Sequence, residues 1–195
     1  NEVLYVLYVI NKEESNLKAS KIAIQKILYL SNILLPIKTI ALAICNFITY
    51  KRGPYDKDIQ NILDQLSMFG LIEIVDFEKH KINSKVSYIN YKITSLGKNI
   101  VEESIEYTYE RDKFNWIEIV TKTSILYTIK LKYFDTLDGI VKLVYQDPTF
   151  LSAKNTSAHI QKINIIDFPQ TKKLIDICIN KFKEIDSQMN DIHLF

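Results

Sequence analysis

Gly53-Pro54 and the residues after it, as far as Ile93, constrain the fold of this chain more than any other part. Glycine supplies backbone angles that other residues avoid and proline presets a turn, so the chain changes direction here. Asp56 stands where a helix N-cap would, and Asp58 suits the positive end of a helix dipole. Ile59, Ile62, Leu63, Leu66 and Phe69 recur at the spacing of one apolar helix face, and Gly70 follows as a stop signal. The runs 71–75 and 86–93 are rich in β-branched and aromatic residues, and a polar tip of Lys, Asn and Ser separates them. They are expected to pair as a hairpin over 71–93.

A helix that runs directly into a two-stranded hairpin is the second half of a winged helix. Residues 2–10 are almost wholly apolar, and periodicity alone cannot separate strand from buried helix there. A helix is expected, because a winged helix needs a first helix at that place. Ser20 caps a second helix with Ile24, Ile27, Leu28 and Ser31 on its inner face, and Pro36 breaks the pattern. Residues 37–48 read as a further helix, with Phe47 or Ile48 turned inward. Thr94-Ser-Leu-Gly-Lys98 is a turn into one long helix or two, and Thr121-Lys-Thr-Ser124 marks a candidate break through low helix propensity. Asp135 or Thr136 caps a helix that stops near Gln146, since the residue before Pro148 avoids helical angles. Residues 151–166 read as irregular, and a last helix carries the stripe Leu174, Ile175, Cys178, Ile179, Phe182 and Ile185. The expected fold class is mainly α with a small β wing. A winged helix-turn-helix over 1–98 is followed by a helical C-terminal extension over 99–195, packed on it.

Composition excludes more functions than it assigns. The net charge of +2 creates no overall field toward nucleic acid or anionic membrane. Cys45 and Cys178 lie far apart inside apolar patterns, as reduced thiols of a cytoplasmic protein would. Lys38 interrupts the longest apolar run, and no basic segment precedes Val3, so neither a membrane span nor a signal peptide is expected. His80, His159 and His193 are scattered, and neither cysteine lies at ligand spacing from them, so no metal site is expected. The chain's 4 glycines do not cluster, which leaves no phosphate-cradling loop. No catalytic or cofactor-binding residue is assigned, and a non-enzymatic role is expected.

Two surfaces remain as interaction candidates. The helix at 56–65 carries Asp56, Asp58 and Asp64, and carboxylates against phosphate forfeit the counterion release that dominates DNA affinity. The hairpin tip differs, because Lys79, Lys81 and Lys85 with His80 outnumber Asp76 and Glu78. Those lysines read either as a solvated tip or as contacts to phosphate, giving weak, non-specific DNA binding. The second candidate is the segment 145–150, where Tyr145, Pro148 and Phe150 form an aromatic, irregular stretch suited to a partner interface. Core packing explains the same residues.

The wording of several stretches carries a resemblance. Ile24-Gln-Lys-Ile-Leu-Tyr-Leu30, Gly53-Pro-Tyr55, Phe69-Gly-Leu-Ile72 and Tyr91-Lys-Ile-Thr-Ser-Leu-Gly97 together resemble the YwgA-type and SocA-like (Panacea) antitoxin winged-helix group. They span roughly the first half of the chain. Asp138-Gly-Ile-Val-Lys-Leu-Val-Tyr-Gln-Asp-Pro-Thr-Phe150 resembles the tail of the middle components of bacterial three-component ABC-ATPase systems. Those include the small accessory subunit of Lamassu-type antiphage defence. The resemblance implies a non-catalytic bridging subunit that joins an SMC-like or other ABC ATPase to a nuclease-like effector. The alternative it implies is a DNA-binding antitoxin or transcriptional regulator.

Overall fold

A computed structural model describes residues 2–11, 18–34, 47–50, 53–79, 86–133 and 137–154, with Ile177, Asn180 and Glu184 as further helical positions. The chain runs α1 (Glu2–Asn11), β1 (Ala19–Ser20), α2 (Lys21–Leu34), β2 (Ile48–Tyr50), β3 (Gly53–Tyr55) and α3 (Asp58–Met68). The hairpin strands β4 (Ile72–Lys79) and β5 (Val86–Ile93) follow. Four helices come next: α4 (Ser95–Arg111), α5 (Lys113–Tyr133), α6 (Leu137–Gln146) and α7 (Pro148–Lys154). The described chain is thus mostly helical with little β structure, all of it antiparallel. β5 lies between β1 and β4, with Tyr91 opposite both Ala19 and Ile74, and β2 pairs with β3.

The apolar run 2–10 is a helix, as expected, and nearly every side chain of α1 is buried. A helix that is apolar all round belongs inside a core. Ser20 does cap α2, its Oγ accepting the Ala23 N–H at 3.1 Å. Of the helix expected over 37–48, residues 37–46 lie outside the described residues, and Ile48 opens β2 instead of closing a helix. The reason is the pairing of Ile48 with Tyr55 and of Tyr50 with Gly53, whose φ of 95° suits the return of the chain.

α3 begins at Asp58, whose N–H donates to Asp56 Oδ1 at 2.9 Å. Ile59, Leu63 and Leu66 point into the core. Phe69 does not, which corrects the expected stripe: it is 71% exposed, beside Met68 at 85%. Helical geometry stops at Met68, and Gly70 takes φ +68°. The N–H of Leu71 then reaches Leu66 O at 2.9 Å and that of Gly70 reaches Ser67 O at 3.0 Å. This Schellman closure turns the chain before Phe69 can complete the apolar face.

Thr94 caps α4, accepting the Gly97 N–H at 3.1 Å. It also ties back to the turn after α3, with its N–H on Leu71 O at 3.0 Å and its hydroxyl on Gly70 O at 2.7 Å. The helical break falls at Asp112, which accepts the Asn115 N–H at 3.1 Å, and not at 121–124. Within α5 the hydroxyls of Thr123, Ser124 and Thr128 bond carbonyls four residues earlier, which satisfies them inside a helix that continues through this stretch.

α6 ends at Gln146 as expected, but the segment after it is not an irregular loop. Pro148 is the first residue of α7, where a missing N–H costs nothing. Asp147 caps that helix, its Oδ2 accepting the Phe150 N–H at 2.8 Å. Among the described residues one core spans both halves, joining Val6, Leu28, Leu63 and Tyr91 to Val101, Ile125, Val144 and Phe150. α1 lies against α4 and α5, and α2 against α5 and α6. The stripe residues Leu174, Ile175, Cys178, Ile179, Phe182 and Ile185 lie outside the described residues, as do Asp135 and Thr136.

Candidate functional site

The motif residues that are far apart in sequence meet along α2. Gln25 pairs with the backbone of Asp56 in both directions: its Nε2 donates to Asp56 O at 2.8 Å, and its Oε1 accepts the Asp56 N–H at 2.9 Å. Lys26, only 3% exposed, donates from Nζ to Pro54 O at 2.8 Å. Any Cβ at position 53 would stand 2.8 Å from that nitrogen, which is a second reason for glycine there. One turn further, the Tyr29 hydroxyl donates to Asp147 Oδ2 at 2.5 Å. α2 therefore fixes the entry into α3 on one side and the α6–α7 corner on the other. These polar groups position the chain; they form no nucleophile–base pair.

Burial sets the electrostatics of this seam. It pushes the Asp147 carboxyl up despite the Tyr29 hydrogen bond, and pushes the Tyr29 hydroxyl well above its ordinary range, with the nearby Asp147 charge adding to it. Burial pushes the Lys26 ammonium down from 10.5 to about 8. Between those two values the unfolded chain binds more protons than the folded one, so stability rises with pH across that window. From pH 7 to pH 9.5 the gain from Lys26 is about 2 kcal/mol. Tyr5, Tyr8 and Tyr29 have raised values, so their opposite effect starts only near pH 10. Urea unfolding at both pH values measures the slope, and Lys26→Met is expected to remove this part of it. A variant as pH-dependent as the wild type would show that Lys26 is not the titrating group.

The candidate interface residues come together, with Phe150 on the inside and Tyr145 and Pro148 partly exposed. Phe150 is 1% exposed and belongs to the core, and Tyr145, half-buried, meets it edge-on with ring centroids 5.5 Å apart. Pro148 is half-buried at the start of α7. Stability accounts for Phe150 without a partner, and the irregularity that singled out this segment is a helix start. Of the tip lysines, Lys79 closes β4 opposite Val86, while Lys81 and Lys85 lie outside the described residues.

The outward surfaces include the acidic face read from the sequence, except Asp56, which is buried, and add apolar residues that it did not single out. Asp58, Asn61, Asp64 and Gln65 are exposed on α3, and Met68 and Phe69 extend that surface at its end. Leu96 and Ile100 are 53% and 42% exposed on α4. Ile100 also lines a cleft of about 360 Å³ between α1, α4 and α5, floored by Leu4, Tyr5, Ile105 and Ile119. Helical spacing could have grouped Leu96 with Ile100, but not told which way they face.

No protein-family model matches the chain, and no curated protein matches it. Among the described residues no group of three or more His, Cys, Asp or Glu side chains could hold a metal ion, and no helix is long and apolar enough to cross a membrane.

Proposed function

We propose that this chain is a winged-helix bridging subunit without a catalytic role. On this reading it joins an SMC-like ABC ATPase to a nuclease-like effector, as the small subunit of Lamassu-type antiphage defence does. The observation that carries the reading is the outward face of α3. In a DNA-reading winged helix this face brings Arg, Lys, Asn or Gln to base edges. Here Asn61 and Gln65 are exposed but stand among the exposed carboxylates Asp58 and Asp64, no Arg or Lys lies within α3, and the face ends in exposed Met68 and Phe69. Carboxylates repel phosphate, while an exposed apolar group gains most by burial against protein. The winged-helix part is supported by the order α1, β1, α2, α3, β4, β5 with β5 in the middle of its sheet, the separate β2–β3 pair being inserted between α2 and α3.

Co-expression of the tagged chain with the products of its neighbouring reading frames tests the proposal. A coiled-coil ATPase and a nuclease-like subunit are expected to copurify with it, and nuclease treatment to leave the complex intact. Purification of the chain alone, with a tight, sequence-specific shift of duplex DNA, would overturn it in favour of a regulator.

A further inference from the structure

We infer that Met68, Phe69, Leu96 and Ile100 form one docking strip for a basic amphipathic helix supplied by a partner subunit. The inference rests on the bridging reading and gives that partner its chemistry. The two pairs are joined at one corner of the backbone. Thr94 binds the carbonyls of Gly70 and Leu71, so the start of α4 abuts the turn that carries Phe69. Leu96 lies two residues beyond Thr94, and Ile100 one helical turn further on. From there the apolar surface dips into the cleft beside α1 and α5. A strip that ends in a cleft of this kind fits rows of side chains from a helix, with one anchor seated deeper.

Charge chooses the occupant. Glu103, Tyr107 and Glu110 continue the Leu96–Ile100 face at the spacing of helical neighbours, and all three are exposed. Asp64 is exposed on α3, one helical turn before Met68 at the other end of the strip. Of the cations nearby, Lys122 is buried and paired with Glu2 at 2.5 Å, while the Arg111 guanidinium lies 4.9 Å over the Tyr107 ring, beside Glu110, and keeps its charge. Lys98 is half-buried on the same stretch of α4. An apolar strip edged by carboxylates suits leucine-like anchors flanked by Lys or Arg. DNA offers no such anchors, and a second copy would bring carboxylate against carboxylate.

Two fluorescent helical peptides with the same leucine pattern, one filled with lysine and one with glutamate, provide the test by anisotropy titration of the full chain. The lysine peptide is expected to bind about tenfold or more tightly than the glutamate peptide, with affinity falling as salt rises. Leu96→Ser with Ile100→Ser is expected to weaken it about tenfold, whereas Leu151→Ser, an exposed residue on α7, leaves it unchanged. Equal binding of both peptides, or binding unaltered in the double variant, would overturn the strip. Circular dichroism checks that the double variant is folded. If it is not, Glu103→Lys with Glu110→Lys replaces it and is expected to reverse the preference between the peptides; an unchanged preference overturns the strip. The double variant is also carried through the copurification. Wild-type yield of both the ATPase and the nuclease-like subunit with it refutes the strip while the bridging role stands. If the wild-type chain captures no ATPase, the bridging role fails and the peptides decide the strip alone.

Discussion

Leu63→Ala is expected to lower the unfolding free energy by about 3 kcal/mol, and Phe69→Ala to change it by less than about 0.5 kcal/mol. The two residues sit on one helical stripe in the sequence, so periodicity would rank them together. Leu63 is fully buried in the core, on a helix packed against α1 and β4, and its truncation removes transfer energy and leaves a cavity. Phe69 is exposed beyond the helix end and leaves no cavity. Urea unfolding of both variants gives the comparison. A Phe69→Ala cost as large as that of Leu63→Ala would mean that the ring is inside, and the docking strip would lose one of its anchors.

The contrast shows what a sequence can reveal and why the rest stays hidden. The hairpin, the helix ahead of it and the stop at Gly70 were legible because each is written in neighbouring residues. Alternation, capping and glycine punctuation act over a few positions. Phe69 was misplaced because the apolar period runs on past Met68 while the Schellman turn has already bent the backbone. The segment around Pro148 was misread for a related reason: proline ends one helix and, one position later, begins the next. Gln25 and Lys26 stood out as wording, yet their role depends on the backbone of Pro54 and Asp56, far along the chain. The exposure of Leu96 and Ile100 was likewise beyond reach, since only the tertiary contacts of α4 decide which of its faces is left uncovered.

Those contacts matter for function because both proposed surfaces lean on the same corner. α3 brings Met68 and Phe69 to it, α4 brings Leu96, and Thr94 fastens the two through backbone carbonyls. A bridging subunit needs surfaces held in fixed relation, since side chains ordered beforehand lose less entropy on binding. The buried pairing of Gln25 with Asp56 serves the same end from below, by fixing where α3 starts.

Gly97→Ala tests that corner most directly, and the expected sign is opposite to the one helix propensity gives. In the first turn of a helix, alanine in place of glycine would ordinarily stabilise by up to about 1 kcal/mol. At this position a Cβ would stand 2.2 Å from Leu71 O and 2.9 Å from Ile93 Cγ1. Neither neighbour can yield cheaply: Leu71 O accepts the Thr94 N–H, and Ile93 is a buried strand residue paired with Ile72. Relief requires α4 to back away from the turn, stretching the hydrogen bonds that close the corner. The expected loss is about 3 kcal/mol, at the upper end for an overpacked core. Gly70→Ala makes a useful comparison, because a Cβ there meets nothing within 4 Å and only the positive φ is strained. Its expected cost is about 1 kcal/mol. Denaturant unfolding of the two variants should therefore rank position 97 well above position 70. The displacement of Leu96 from Phe69 should also weaken the lysine peptide for whatever fraction of Gly97→Ala remains folded. Stabilisation by Gly97→Ala would mean that α4 does not press on Leu71, and the two ends of the strip would then be independent surfaces.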